Sequence, residues 1–309
     1  MAAGLALIDK PEGWTSHDVV AKTRRLAGTR KVGHAGTLDP MATGLLLLGV
    51  DAGTKLLTFL VGADKTYLAT IRLGASTVTD DREGETVSVA EPSALASLDA
   101  PAIEAALEPL RGDILQSPSA VSAIKVDGER AYARVRAGES VELPKRPVRV
   151  DRLEVLGEIR RVEADGAHFI DLDVIVDCSS GTYIRAIARD LGEALGVGGH
   201  LTALRRTRIG GYSVEAAQKL DQLVQQDGEP LRVLPLADAA RAEFTVRELT
   251  DQEVVDLVHG KRLALGSIAR DSAPEPIAAI SPAGKLIAVL ERSSNQLKSL
   301  VVFAGESDA

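Results

Sequence analysis

The chain has 309 residues, of which 45% are hydrophobic and 26% are charged, as in ordinary soluble globular proteins. Its formal net charge of −8 excludes a nucleic-acid binder held by bulk positive charge alone, and its one cysteine excludes an internal disulfide and a cysteine-cluster metal site. The N-terminus lacks a basic leader and no apolar stretch is long enough to span a bilayer, so we expect a cytoplasmic protein with no membrane association.

The first sixty residues predict a strand, a helix, a second strand and a second helix. The first strand is "GLALIDK", residues 4–10, and a turn follows at "PEGW". The first helix is "TSHDVVAKTRRLAG", with Thr15 or Ser16 as its N-cap and Gly28 at its end. After a glycine-rich loop, "LLLLGV" predicts a buried strand, and residues 53–60 predict the second helix.

The middle of the chain alternates strand and helix patterns. "KTYLATIRLG" predicts a strand whose odd-numbered residues, from Tyr67 to Leu73, share one face. The acidic turn at residues 80–85 and the Ala-rich residues 90–101 predict a surface excursion before the helix "PAIEAALEPLRG". Residues 116–138 predict a polar loop that leads into a helix. Strands near residues 147–155 and 169–177 then precede a helix within "SSGTYIRAIARDLGEALG", and Cys178 is expected to be a small core residue.

The order of these elements predicts the fold class. Strands and helices interleave irregularly, which is typical of an α+β fold with a mixed sheet. From about residue 244 the pattern changes to one helix and short strands such as "PIAAI", "KLIAVLE" and "SLVVFAG", which predict a small β-barrel-like domain. We therefore predict a main domain over residues 1–240 and a second domain over residues 241–309.

Positive charge is clustered although the total is acidic. No acid lies between Asp18 and Asp39, a stretch that contains five cations: Lys22, Arg24, Arg25, Arg30 and Lys31. Two further clusters lie at residues 145–149 and 205–208, while acids gather elsewhere, as in "TDDREGE". This segregation permits a basic groove, although a solvated face is the ordinary explanation of any single cluster.

The segment "VGHAGTLDPMATG", residues 32–44, holds one carboxylate, Asp39. Aspartate before proline is common in turns, so Asp39 alone would be interpreted as structural. Pro40 favours an extended backbone at Asp39, and the apolar Leu38 and Met41 flank the pair, which suits a nucleophile or a base. Glycoside hydrolysis usually needs two carboxylates, and the five scattered histidines show no metal-ligand spacing, so we predict no metal site.

The stretch "KVGHAGTLDPMATGLLLLGV" closely resembles the signature of the bacterial tRNA pseudouridine-55 synthases, the TruB family of pseudouridine synthases. Four more blocks resemble family blocks in family order: "LIDKPEGWTSHDVV", "KTYLATIRLG", "SAIKVDGERAYARVRAG" and "CSSGTYIRAIARDLGEALGVGGHLTALRRTRIG". Together they span most of residues 5–211. The resemblance implies a pseudouridine synthase fold, with a central mixed, mostly antiparallel sheet flanked by helices. It implies a catalytic domain over residues 1–240 and a PUA-like RNA-binding domain over residues 241–309.

The resemblance also implies a reaction: one T-loop uridine of tRNA, at position 55, becomes pseudouridine without cofactor, metal or energy source. By this resemblance Asp39 is the nucleophile, and whether it attacks C1' or C6 stays open. Arg185 is the implied cationic partner, and Tyr67 is the implied tyrosine stacked on the uracil. Without the resemblance, Arg185 would be interpreted as a solvated helical arginine and Tyr67 as a core residue.

The target base lies in a folded RNA loop and must be flipped out before it can react. By resemblance His34 contacts the flipped nucleotide or fills its place, and Tyr183 and Leu204 line the uridine pocket. Candidates for RNA contacts are the basic residues Lys10, Lys22, Arg24, Lys31, Lys125, Arg205 and Arg206. We expect the T-arm of tRNA as the partner of a monomer with no obligate protein partner. The alternative is a non-catalytic tRNA-binding or tRNA-folding protein on the same scaffold.

Overall fold

The computed structural model describes residues 3–119, 144–225, 230–265 and 276–303, and two short strands at residues 125–126 and 129–130. Within these residues the α-helices, numbered α1 to α8, are Ser16–Ala27, Leu57–Leu60, Pro92–Ala96, Ala100–Leu107, Ile184–Ala194, Leu220–Leu223, Leu236–Glu243 and Asp251–Val258. Short 3₁₀ helices lie at Asp51–Lys55, Glu108–Leu110 and Val214–Ala216.

The strands of the described residues are numbered β1 to β20 in chain order. The first ten are Gly4–Lys10, Val32–Ala35, Thr43–Val50, Lys65–Leu73, Ala75–Thr77, Thr86–Val89, Gly112–Gln116, Lys125–Val126, Glu129–Arg130 and Arg146–Ala164. The others are Ala167–Cys178, Gly199–Ile209, Tyr212–Ser213, Gln218–Lys219, Leu234–Pro235, Thr245–Glu248, Leu263–Ala264, Ile277–Ile280, Leu286–Ser293 and Gln296–Val302.

The chain divides into two compact units: Met1–Ala63 with Arg208–Ala309, and Asp64–Thr207. In the first unit β1 pairs antiparallel with β3 over its whole length, from Gly4 opposite Val50 to Lys10 opposite Gly44. β2 adds antiparallel to β3, and β14 adds parallel to β1. Since β1 has neighbours on both edges, it is an interior strand, and most of its residues are buried.

Helix α1 follows β1 because its ends are well capped. Thr15 is the N-cap, and Asp18 completes a capping box by accepting from the Thr15 backbone. Gly28 ends the helix with φ of 66°, a left-handed conformation that glycine adopts without strain. The predicted helix and its caps are confirmed, and so is strand β1 over residues 4–10. The second predicted helix is a 3₁₀ turn followed by the four-residue α2.

The C-terminal segment forms the predicted small β-rich sheet. In the described part of the chain its strand order is β16, β18, β19, β20, β17, and only the first pair is parallel. One side of this sheet contributes to a core with Leu5, Leu45 and Leu47, and the other side forms a core with helix α8. Apolar burial therefore holds the C-terminal sheet against β1 and β3. The boundary between residues 240 and 241 stays a prediction.

In the second unit the strand order is β12, β4, β11, β10, β7. β4 and β11 pair antiparallel over nine residue pairs, from Lys65 opposite Cys178 to Leu73 opposite Ile170. The odd-numbered residues of β4, from Tyr67 to Leu73, are buried, which confirms the predicted strand face. The predicted α+β class with a mixed sheet is therefore confirmed.

Two segments differ from the sequence-based expectation or lie largely outside the described residues. The acidic turn at residues 80–85 is not only a surface excursion, because Asp80 and Asp81 are 8% and 2% exposed. The loop and helix expected over residues 116–138 fall largely outside the described residues, apart from β8 and β9, which pair antiparallel. Among the described residues, none of the helices has the length and apolarity needed to cross a membrane.

The buried thiol of Cys178 gives a chemical test of the second unit. Burial raises the pKa of this thiol to about 11, and only 1% of the residue is exposed. Since the thiolate is the reactive form, about one thiol in a thousand is reactive at pH 8. We expect iodoacetamide to leave the native protein unmodified during the time in which it fully alkylates the urea-unfolded chain. Because the chain has one cysteine, intact mass spectrometry reads this residue alone, and equal rates in both states would contradict its burial.

Candidate active site

The predicted nucleophile Asp39 lies in the loop that connects β2 to β3. His34 lies on β2, opposite Leu48 of β3, and both His34 and Asp39 are half-buried. The loop turns tightly after Asp39, since the Ala42 N–H donates to the Asp39 carbonyl at 3.1 Å. Both residues therefore belong to one β-hairpin of the first unit, His34 on its first strand and Asp39 in its loop.

Side chains and backbone from the end of β1 to the start of α1, residues 10–16, hold this loop. The Ser16 hydroxyl donates to the Leu38 carbonyl at 3.1 Å and accepts from the Leu38 N–H at 2.9 Å. On the other side of Asp39, the Pro40 carbonyl accepts from the Gly13 N–H at 2.9 Å and from the Lys10 ammonium at 3.2 Å. The residues before and after Asp39 are thus fixed by groups more than twenty positions earlier in the chain.

Lys10 corrects one prediction. The sequence predicts it as an RNA contact, but the residue is fully buried. Its Nζ donates to the carbonyls of Pro11, Trp14 and Pro40 at 2.9, 2.8 and 3.2 Å. An ammonium has three N–H donors, and each of these three carbonyls can accept from one of them. Lys10 therefore organises the turn and the Asp39 loop instead of binding phosphate.

His34 has an aromatic neighbour on α1. Its ring meets the ring of His17 edge to face, with the centroids 5.8 Å apart and the planes at 80°. His17 is exposed, and it lies one residue after Ser16, which holds the Asp39 loop. The start of α1 thus contacts the hairpin in two places. His17 contacts the ring of His34, and Ser16 contacts the backbone of Leu38, next to Asp39.

In the second unit, the predicted cationic residue Arg185 lies in the first turn of helix α5. It is 8% exposed, which excludes the alternative of a solvated arginine. Its Nη1 donates to the Thr79 carbonyl at 2.8 Å and to the Asp81 carboxylate at 3.3 Å. The Asp81 carboxylate also accepts from the Thr79 hydroxyl and the Glu83 N–H. A guanidinium this deeply buried requires a charged partner, which Asp81 supplies.

A second arginine of α5 extends this cluster. Arg189 donates to the Asp80 carboxylate at 3.3 Å and to the Ser117 carbonyl at 2.9 Å. Burial raises the pKa of Asp80, while a hydrogen bond with Ser119 and the guanidiniums of Arg189 and Arg185 act in the opposite direction. The burial of Asp80 and Asp81 is not visible in the sequence, because "TDDREGE" has the composition of an exposed acidic turn. Each of these aspartates pairs with an arginine of α5, and the two arginines are one helical turn apart. The sequence pattern does not show this pairing.

The other predicted pocket residues also lie in the second unit. Tyr67 lies on β4 opposite Val176 and is 7% exposed, and Leu204 lies on β12 with the same exposure. Tyr183 is half-exposed at the start of α5. The Gln116 amide accepts from the Tyr183 N–H at 2.7 Å and donates to its carbonyl at 3.0 Å, which fixes the backbone immediately before the helix.

The basic RNA-contact candidates differ in accessibility. Arg206 is 1% exposed, so its guanidinium is inaccessible to a phosphate and the prediction for this residue is wrong. Arg24 and Lys31 are exposed, and Lys22 and Arg205 are half-exposed. Lys125 belongs to β8, and its side chain lies outside the described residues. The four accessible cations stay candidates for RNA contact.

A pocket on the first unit accompanies these cations. It has a volume of about 490 Å³ and is lined by Gly13, Trp14, Asp18, Ala21, Lys22 and Arg25. Lys22 therefore lines the same pocket as Trp14, the one tryptophan of the sequence. Within the described part of the chain, the His, Cys, Asp and Glu side chains form no group of three or more that could hold a metal ion.

Comparison with known families identifies the chain. Residues 24–184 match the N-terminal domain of TruB family pseudouridylate synthases, over just more than half of the sequence. The chain belongs to the TruB family. Residues 185–236 match the C-terminal domain of tRNA pseudouridylate synthase B, and residues 244–304 match the C-terminal part of tRNA pseudouridine synthase II. These matches agree with the resemblance found in the sequence motifs.

Individual TruB family relatives match over the full length. The tRNA pseudouridine synthase B of Leifsonia xyli subsp. xyli is 56% identical over 310 residues, which cover 100% of this chain and 99% of the relative. The enzyme of the same name from Arthrobacter sp. (strain FB24) is 54% identical over 312 residues, with coverages of 100% and 99%. The activity of the chain is therefore that of a tRNA pseudouridine synthase.

Solved structures share the fold. A chain of a Cbf5–Nop10–Gar1 complex superposes with a TM-score of 0.69 at 25% identity, covering 97% of this chain and 84% of the other. A chain of an archaeal box H/ACA Nop10–Cbf5 complex gives a TM-score of 0.66 at 25% identity, with the same coverages. The TruB family chain thus has the pseudouridine synthase fold that its motifs implied.

Removal of the Asp81 charge tests the buried ion pair. In Asp81→Asn the buried guanidinium of Arg185 loses this anionic partner, so we expect the free energy of unfolding to fall by about 3 kcal/mol. Urea unfolding followed by circular dichroism measures this change. Glu154→Gln is the control, because the Arg152–Glu154 pair is exposed and contributes little. Equal unfolding curves for the two variants would contradict a structural role of the Arg185–Asp81 pair.

Proposed function

We propose that the chain isomerises the T-loop uridine at position 55 of tRNA to pseudouridine, with Asp39 as the nucleophile. The single observation that carries the proposal is the anchoring of Leu38 and Pro40 on either side of Asp39. A reacting group gains most from the protein when its position is fixed before the substrate arrives. The loop supplies one such carboxylate, and the family matches supply the reaction type.

One carboxylate suits this reaction because no water enters the product. The C1'–N1 bond of the nucleoside breaks and a C1'–C5 bond forms, while C5 releases one proton and N1 takes one up. A second carboxylate that activated water would lead to hydrolysis instead. Attack of Asp39 at C1' and attack at C6 are both consistent with this balance of bonds and protons. Asp39 is therefore proposed as the nucleophile, and the attacked atom stays open.

The nucleophile must be ionised to react. A carboxylate in an apolar, water-poor site tends to keep its proton unless a cation favours its charged form. Arg185 is proposed as that cation on family resemblance, and the two residues belong to different compact units. Its contacts with Asp81 and Thr79 would hold the guanidinium in place, so Asp81 is a supporting residue of the proposed site.

The uridine must leave its stack before Asp39 can reach the ribose or the ring. We propose that Tyr67 stacks on the flipped uracil and accepts the proton from C5. Tyr183 and Leu204 are proposed as further residues of the uridine pocket. His34 is proposed to contact the flipped nucleotide or to occupy the space that it leaves. The edge-to-face contact of His34 with His17 supports this role, because it restrains an imidazole that lies five residues before Asp39.

Binding of the tRNA is proposed to use the accessible cations of the first unit and of β12. Arg24 and Lys31 are exposed and Lys22 lines the pocket with Trp14, which offers an aromatic face for an unstacked base. The C-terminal segment is proposed as a PUA-like domain that contacts the same tRNA. We further propose that the chain acts as a cytoplasmic monomer without an obligate protein partner.

The decisive experiment uses tRNA labelled with tritium at uridine C5. Wild-type protein should release the label to water, and Asp39→Asn should release none while binding tRNA with similar affinity. Asp51→Asn is the control, since Asp51 accepts from the Thr29 hydroxyl, a bond that an amide oxygen retains. Turnover by Asp39→Asn would overturn the nucleophile, and binding without release by the wild type would favour the non-catalytic alternative. Sequencing of modified positions in the product tests position 55.

The proposed RNA surface makes a separate prediction about salt. Lys31→Gln removes one exposed cation, so tRNA affinity should fall. The negative slope of log K against log salt should become shallower by about one. Arg152→Gln is the control, because this exposed arginine is neutralised by Glu154. Filter binding measures the tRNA affinity of both variants at salt concentrations from roughly 50 to 200 mM, a range over which loss of phosphate contacts changes affinity strongly. An unchanged slope for Lys31→Gln would remove this residue from the interface.

A further inference from the structure

We propose that Ser16 is a positioning residue for the Asp39 carboxylate and acts through the backbone of Leu38. This inference rests on the proposed function, because it assigns Ser16 to the reaction that Asp39 starts. Ser16 itself does not need to touch the substrate. Its hydroxyl holds the residue immediately before the nucleophile, at a distance of 22 positions along the chain.

The hydroxyl of Ser16 is well suited to this task. It is 1% exposed, and it bonds both polar backbone atoms of one residue, donating to the Leu38 carbonyl and accepting from the Leu38 N–H. A serine hydroxyl offers one donor and two acceptor lone pairs, so a single group can satisfy both atoms. The peptide planes on both sides of Leu38 are thereby fixed, and the second of them leads directly into Asp39.

The hydroxyl is not explained by the helix that contains it. Ser16 is the first residue of α1, and the N-cap role belongs to Thr15, whose side chain accepts from the Asp18 N–H. A first-turn residue needs no side-chain hydroxyl when the cap is already supplied. Both hydrogen bonds of the Ser16 side chain are instead directed to a distant loop, so the residue serves the loop and not the helix.

The Asp39 loop has a second anchor that survives the loss of Ser16. The Pro40 carbonyl stays bonded to the Gly13 N–H and to Lys10, and the Leu38 side chain is 3% exposed in the core. Removal of the hydroxyl should therefore leave the loop in place but free to rotate before Asp39. A displacement of the order of 1 Å at a reacting group can lower a rate by about 100-fold.

The test compares Ser16→Ala with Thr15→Ala, which removes the true N-cap of the same helix. Ser16→Ala loses the two buried hydrogen bonds to Leu38, and Thr15→Ala loses the two capping hydrogen bonds to Asp18, so each variant should lower Tm by roughly 2–4 °C. Single-turnover tritium release should fall about 100-fold in Ser16→Ala and less than threefold in Thr15→Ala, with tRNA affinity unchanged in both. Ser16→Cys keeps a weaker donor and acceptor at the same position, so it should recover part of the rate.

The outcomes separate this inference from the proposed function. Loss of rate in Ser16→Ala alone, with partial recovery in Ser16→Cys, supports positioning. If the wild type releases tritium and Ser16→Ala matches Thr15→Ala in rate, the positioning role is overturned and the proposed function stands. A loss that appears only as weaker tRNA binding also overturns it, since positioning predicts an effect on the chemical step. Absence of release by the wild type overturns both.

Discussion

The hydrogen bonds from residues 10–16, at the end of β1 and the start of α1, to the loop around Asp39 are the constraint on which the candidate site depends. Ser16 holds Leu38, and Lys10 with Gly13 holds Pro40, so the backbone is fixed on either side of the carboxylate. These donors are themselves in place because β1 is an interior strand that leads through a short turn into α1. The loop around Asp39 is thus held by ordinary secondary structure, which two buried polar side chains, Ser16 and Lys10, link to it.

Buried charge in the second unit follows the same logic. Two arginines of one helix, Arg185 and Arg189, each face an aspartate of the turn after β5, so neither guanidinium depends on solvent for compensation. Such pairs add little net stability compared with apolar packing, but breaking one leaves an expensive buried charge. The two pairs therefore fix the first two turns of α5 to the turn after β5.

Local patterns predicted the elements that carry strong sequence signals. Strand β1, helix α1 with its caps and the buried face of β4 agree with the sequence analysis, because alternation, capping residues and helical spacing act over a few positions. The burial of Asp81, Lys10 and Arg206 could not be predicted in this way. Charged residues are usually exposed, and their burial depends on partners brought together by the fold. Asp39 was identified by its family motif, whereas its anchoring by Ser16 required the structure.

The most direct test of the account is a crystal structure with a T-arm RNA that carries 5-fluorouridine at the target position. The account predicts that the target nucleotide is flipped out of the loop, with an Asp39 oxygen bonded to C1' or C6 or within about 3.5 Å of one of them. The Ser16–Leu38 hydrogen bonds should be retained in that complex. A target base still stacked in the loop, or an Asp39 carboxylate far from both carbons of a flipped nucleotide, would contradict the central claim.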